Sequence, residues 1–297
     1  MTFKFQNSEP LNPDIMSKRI VVGVDFSDCS LNALEHAVII ARKAHAGITM
    51  VWANHLDYSK EIFSVEPENL RSEVKKKFDA LVEKYSPQLA KDTGIDYHME
   101  KGKVYKVICK VADETDAFLV VIGTHGSSGF EEFWIGSNAN RIVSASKRPI
   151  LTIRAGVDSN KDLKIIVMPL DSTRITRQKL PITALLARYF DAEIHIVGVY
   201  TSTADNIRFR VQNYVQQSET YLKENGVRFR SVFLEAGNIT DTVLDYAKKV
   251  NANLISIMTE QETTTANLWL GPYAAQMVNH SPIPVLSVHT ENTGYLV

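Results

Sequence analysis

The sequence predicts an α/β protein made of two repeated domains, each built on a parallel sheet. Three observations predict it: the length, an internal duplication, and short β-branched runs alternating with helical patterns. At 297 residues the chain exceeds what one core usually organises, since single cores stop growing near about 250 residues. The duplication is visible as constant offsets. Ile20-Val21-Val22-Gly23-Val24-Asp25 and Ile166-Val167-Met168-Pro169-Leu170-Asp171 are both apolar runs closed by an acid, 146 residues apart. Ala41-Arg42 falls on Ala187-Arg188 at the same offset. Later landmarks fall at an offset of 135: Gly102 on Gly237, Leu119 on Leu254, Trp134 on Trp269, Gly136 on Gly271 and Pro149 on Pro284. A net deletion of 11 residues inside the second copy reconciles the two registers.

Each element follows in order. The run 19–25 is apolar on both faces, as a strand covered on both sides must be. A helix over about 30–45 follows, with Ser27, Asp28 or Ser30 as possible N-caps and Gly47 as a plausible stop. Then come strand 48–54, an amphipathic helix over about 67–92, strand 95–100, helix 104–115 and strand 118–123. A Gly/Ser loop 124–135, helix 137–147 and strand 149–154 complete the copy. The second copy gives strands 163–170, 193–200, 228–235, 253–258 and 284–289, separated by helical patterns. Strands that alternate with helices imply parallel pairing through right-handed crossovers. The expected division is an N-terminal extension 1–15, a first domain 16–155 and a second domain 162–290, with polar Ala155 to Asp162 between them.

Composition excludes several classes. The net charge is −1, from 33 basic and 34 acidic side chains, so no bulk field favours nucleic acid or an anionic membrane. Cys29 and Cys109 alone make neither a disulfide framework nor a metal motif. The segment from Met1 to Lys18 has no signal-peptide core, and no apolar run reaches the length of a membrane span, which points to the cytoplasm. There is no G-x4-G-K-[ST] loop and no G-x-G-x-x-G after a strand.

The segment that carries chemistry is Gly123-Thr124-His125-Gly126, nine residues, then Gly136-Ser137. Gly123 ends a buried strand, where a ligand can approach bare backbone, and Gly126 permits a turn with positive φ. Gly136-Ser137 opens a helix, whose free N–H groups and dipole favour a phosphate, and the Ser137 hydroxyl adds a donor. Asp25 lies at the same edge, where a carboxylate can bind a ribose hydroxyl or help hold Mg²⁺.

These residues, with the strand Ile20 to Asp25, resemble the universal stress protein family, and the resemblance extends over both repeats. It implies a doubly wound five-stranded parallel sheet with helices on both faces in each domain. It also implies pairing of the domains through their last strands, Ile150-Leu151-Thr152-Ile153 and Val285-Leu286-Ser287-Val288, as a pseudo-dimer within one chain. The implied ligand is an adenine nucleotide, ATP, with or without Mg²⁺. Gly23, Asp25 and Ala53 are implied near adenine and ribose, and Ile122, Gly123, Gly126, Gly136, Ser137 and Asn138 around ribose and phosphates. Many relatives carry a small apolar residue where Asn138 stands.

The second repeat departs from the pattern: Met258 replaces Gly123, Gln261 replaces Gly126 and Pro272 replaces Ser137, while Glu260 adds negative charge. Nucleotide binding there is expected to be weak or absent. Blander readings stand beside the sharp ones. Gly123 and Gly126 can be turn glycines, Asp25 a cap, and His125 an exposed loop residue. His36, His45 and His55 lack ligand spacing. Trp134 and Trp269 read as packing for their loops, Tyr214 and Tyr221 as helix packing, and Lys75-Lys76-Lys77 as a solvated face. No nucleophile and base are matched, so the expectation is a regulatory ATP-binding protein acting on a protein partner the sequence does not identify, and not an enzyme. The alternatives are a slow ATPase or an interaction protein that binds no nucleotide.

Overall fold

The computed structural model describes residues 18–54, 67–124, 136–159, 162–259 and 271–290. The first copy runs β1 (Arg19–Gly23), α1 (Asp28–Ala44), β2 (Gly47–Asn54), α2 (Pro67–Tyr85), β3 (Ile95–Lys101), α3 (Val104–Glu114), β4 (Leu119–Gly123), α4 (Ser137–Ala145) and β5 (Ile150–Ile153). The second runs β6 (Ile165–Leu170), α5 (Leu180–Phe190), β7 (Glu193–Tyr200), α6 (Asp205–Glu224), β8 (Phe229–Glu235), α7 (Ile239–Lys249), β9 (Leu254–Thr259), α8 (Pro272–His280) and β10 (Val285–His289).

The ten strands form one sheet in the order β3-β2-β1-β4-β5-β10-β9-β6-β7-β8, a palindrome of two five-stranded halves. Within each half all pairing is parallel. The halves meet where β5 and β10 pair antiparallel, with Leu151 opposite Leu286. Those two leucines are equivalent at the 135 offset, so the pseudo-twofold axis of the duplication passes between them. The expected pairing through last strands is therefore present, and it turns two exposed apolar edges into one continuous sheet.

Helices cover both faces. One apolar cluster joins α1, α2, α5 and α6 across both halves. Phe78 of α2 is fully buried there, a contribution of about 2–3 kcal/mol for a large apolar side chain. On the other face each half keeps its own cluster, under α3 and α4 in the first and under α7 and α8 in the second.

Local rules account for several boundaries. Ser27 is the N-cap of α1 and its hydroxyl accepts from Ser30 N at 3.2 Å. The expected stop at Gly47 is corrected: His45 takes the left-handed C-cap at φ 50°, and Gly47 opens β2 against Arg19 and the Gly94 carbonyl. Asp191, the equivalent of His45, closes α5 in the same way at φ 50°. The helix expected over 67–92 ends at Tyr85, because Pro87 follows within a 3₁₀ turn over Ser86–Gln88. No described helix is long and apolar enough to cross a membrane.

Candidate functional site

In each half the strand order reverses at the first strand, β1 lying between β2 and β4 and β6 between β7 and β9. Ligands of such sheets bind beyond the carboxyl ends of the strands at that reversal. In the first half this edge gathers Gly23 at the end of β1, Ala53 near the end of β2, Ile122 and Gly123 at the end of β4, and Gly136, Ser137 and Asn138 at the start of α4. Gly126, His125 and Trp134 lie outside the described residues, as do residues 1–15, His55, Glu260, Gln261 and Trp269.

The start of α4 is the most suggestive feature. Its N-cap is Gly136, extended at ψ 146° and with no side chain to cap the helix. The Gly136 N–H is itself used, donating to Thr124 O at 2.7 Å. The first N–H groups of a helix have no partner within it, and here Ser137 and Asn138 are exposed. The result is an exposed helix terminus with no side-chain cap among the described residues, tied to the end of β4.

The two strand glycines have a packing reason of their own. A Cβ on Gly123 would lie 2.9 Å from Cys29 Sγ and 3.0 Å from the Cys29 backbone carbonyl. A Cβ on Gly23 would lie 2.9 Å from Ile108 Cδ1. Ile122 is buried, so any contact it makes with a ligand is through its backbone.

Asp25 is exposed, and its Oδ1 accepts from Ser27 N at 3.0 Å and Ser27 Oγ at 2.5 Å. Asp171 repeats this with Thr173, at 2.9 and 2.6 Å. Both acids thus shape the turn after the first strand; the helix cap weighed for Asp25 is taken by Ser27 instead. The turn also holds a feature the sequence reading missed: Phe26 sits at φ 64°, a costly conformation for a bulky side chain. It packs on Phe78 at 4.9 Å, and Lys77 lies over its ring at 5.2 Å. Lys77 therefore covers an aromatic beside the site as well as facing solvent.

The same edge of the second half is filled from within. Met258 occupies the place of Gly123, and the segment equivalent to the first turn of α1 is a 3₁₀ helix, Arg174–Arg177. Pro272 stands at N1 of α8 behind an uncapping Gly271, removing one N–H and the hydroxyl. Lys179, the equivalent of Ala33, is fully buried and donates to Thr176 O, with Thr176 Oγ1 at 3.4 Å. Burial lowers its pKa to about 7, against the opposing attraction of Asp171. A cavity of about 20 Å³ remains between Asp171, Thr173, Thr176, Lys179, Met258 and Tyr273, room for about one water. The signal for Lys179 in the sequence is a lysine falling on Ala33, a buried alanine of the other repeat. Tyr221 is buried and Tyr214 lies under Arg177 at 4.1 Å, so both pack as expected.

Comparison with known proteins follows the same division. The profile of the universal stress protein family matches residues 16–154 and 163–289. A universal stress protein of Methanocaldococcus jannaschii is 29% identical over 150 residues, covering 50% of this chain and 88% of that one. The universal stress protein YxiE of Bacillus subtilis is 27% identical over 151 residues, covering 47% of this chain and all of its own length. The crystal structure of a universal stress protein from Archaeoglobus fulgidus superposes over 93% of this chain and 100% of its own, with a TM-score of 0.72 at 17% identity. That likeness extends the shared fold to both halves.

Proposed function

This chain belongs to the universal stress protein family, and on that premise we propose that it is an ATP-binding regulatory protein of the stress response, with the nucleotide held by its first half. The observation that carries the reading is the start of α4 at the reversal point of the sheet, exposed and without a side-chain cap among the described residues, behind the spacing G-x2-G-x9-G-[ST]. Backbone N–H groups at Ser137 and Asn138, the helix dipole and the Ser137 hydroxyl would receive the phosphates. Gly23 and Ala53 leave the ends of β1 and β2 low enough for a flat base, and Asp25 supplies a carboxylate for ribose or for Mg²⁺. Micromolar binding requires about −8 kcal/mol, within reach of several charge-assisted bonds at about 1.5–3 kcal/mol each and a partly buried base. The chain acts in this reading by binding: the bound phosphates change the surface at the start of α4, and a protein partner reads it.

The test is ATP titration of the wild type and of Gly136→Trp, whose indole would occupy the phosphate position without entering the core. The wild type should bind and the variant should lose at least about a hundredfold in affinity, some 2.7 kcal/mol. Equal affinity of the two would overturn the assignment of the loop.

A further inference from the structure

A second cavity, far larger than the one beside Lys179, lies between the two halves of the chain. It occupies about 770 Å³, inside the range of about 300–1,000 Å³ typical of small-molecule sites, and domain interfaces are where such sites concentrate. It sits at the pseudo-twofold seam, under the linker that follows β5. The carboxyl end of β5 faces the amino ends of β9 and β10 there, because β5 and β10 run antiparallel. Ile39 of α1, Phe190 of α5, Leu254 and Ile283 give it apolar walls drawn from both repeats.

Among the described residues, one fixed cation stands in those walls. Arg154, the first residue after β5, is half-buried. Its Nη2 donates to Asn279 O, and its Nε is buried with no hydrogen-bond partner among the described residues. No described carboxylate lies within ion-pairing distance of it. Arg148, by contrast, is paired with both Asp113 and Asp116. The half-buried guanidinium thus keeps its charge at the cleft without a described counter-ion, and an anion reaching its exposed edge would complete it. Two carbonyls of the linker, Arg154 O and Val157 O, accept from Asn32 Nδ2 at 3.3 and 2.9 Å, so the backbone that carries the arginine is tied to α1.

The charges around it include a carboxylate that does not pair with it: Glu35 accepts from Ser159 Oγ of the lining at 3.2 Å. His36 lines the same wall; burial lowers its pKa, and its Nδ1 lies 2.9 Å from Asn32 O. It therefore adds no second fixed positive charge at neutral pH. Asp158 lies on the exposed rim, where water and salt screen it.

We propose that this inter-domain cleft binds a single-chain amphipathic carboxylate, its apolar chain against Ile39, Phe190 and Ile283 and its carboxylate on Arg154. The site neighbours the nucleotide edge, since Gly123 pairs with Ile153 and Thr124 N donates to Ile153 O at 2.9 Å, but its lining is distinct and it does not rest on nucleotide binding. Because its walls come from both repeats, an occupant would bridge the halves and brace their seam.

Calorimetric titration of the full chain with decanoate, with decanol as the neutral counterpart, tests this. Decanoate should bind near one equivalent per chain, about tenfold more tightly than decanol, since a charge-assisted bond is worth that much. Arg154→Gln should remove the difference between the two ligands, while Arg154→Lys should keep most of it. Ile39→Trp, which fills the cleft without touching the arginine, should weaken both ligands, and saturating ATP should compete with neither. Absence of decanoate binding, equal binding of decanoate and decanol to the wild type, an unchanged preference in Arg154→Gln, or displacement by ATP would each overturn the proposal.

Discussion

Replacing Lys179 by Met should stabilise the protein at neutral and acidic pH, and the gain should vanish as the solution becomes alkaline. The side chains are similar in length, and Lys179 is fully buried at the filled edge of the second half, so Met can take its place without a new cavity. The magnitude follows from the shift of the amine from 10.5 to about 7. At 1.36 kcal/mol per unit, that is a penalty of up to about 5 kcal/mol for keeping the ammonium in the fold. Losing the hydrogen bonds to Thr176 offsets about 1–2 kcal/mol, leaving a net gain of about 3 kcal/mol. The sign is set by linkage. Below pH 7 both folded and unfolded chains carry the proton, so the penalty is constant. Between pH 7 and 10.5 the unfolded chain holds a proton that the folded one lacks, so wild-type stability rises with pH by up to about 1.4 kcal/mol per unit. The variant lacks this rise, and the gap closes across that window. Urea unfolding of both proteins at pH 6, 7, 8 and 9 measures it. A variant less stable than wild type at pH 6, or a gap that does not shrink by pH 9, would refute the reasoning.

Other predictions follow from the same geometry. Gly123→Ala should destabilise by about 1–3 kcal/mol, because its Cβ meets the Cys29 backbone carbonyl as well as the Cys29 Sγ; denaturant midpoints read this, and an unchanged midpoint would mean that α1 shifts freely. Gly271→Trp, the second-half twin of Gly136→Trp, should leave ATP affinity unchanged, and a loss of binding would place nucleotide chemistry in the wrong half. Arg148→Met should cost about 2 kcal/mol in thermal or urea unfolding, since its guanidinium is 5% exposed between Asp113 at 3.2 Å and Asp116 at 2.6 Å; the figure is discounted because both carboxylates face water. A neutral result would show that the pair is replaceable.

Much of the fold was legible because the chain states it twice. The 146 offset carries Asp25 onto Asp171, Ser27 onto Thr173 and Ser30 onto Thr176, and the same hydrogen bonds recur at all three. The 135 offset carries Asp116 onto Asn251, and both take the left-handed conformation that short polar side chains tolerate. What escaped depends on tertiary packing. Gly47 reads as a helix stop, yet the close approach of Arg19 and Gly94 explains it better. Gly123 reads as bare backbone for a ligand, and the structure adds contact with Cys29 as an independent reason. Phe26 has no local signal for positive φ; the turn around Asp25 imposes it. The cleft at Arg154 is made by two repeats meeting across β5 and β10, so no pattern within one repeat contains it.

The central claim is that one half of the duplicated chain keeps a nucleotide site while the other has filled its own. Denaturing extraction of purified protein saturated with ATP, after removal of free ligand by rapid gel filtration, counts the sites directly by mass spectrometry. The account predicts one adenine nucleotide per chain, retained in Gly271→Trp and lost in Gly136→Trp. Two nucleotides per chain would contradict the reading of Met258, Lys179 and Pro272, and none would contradict the site in the first half.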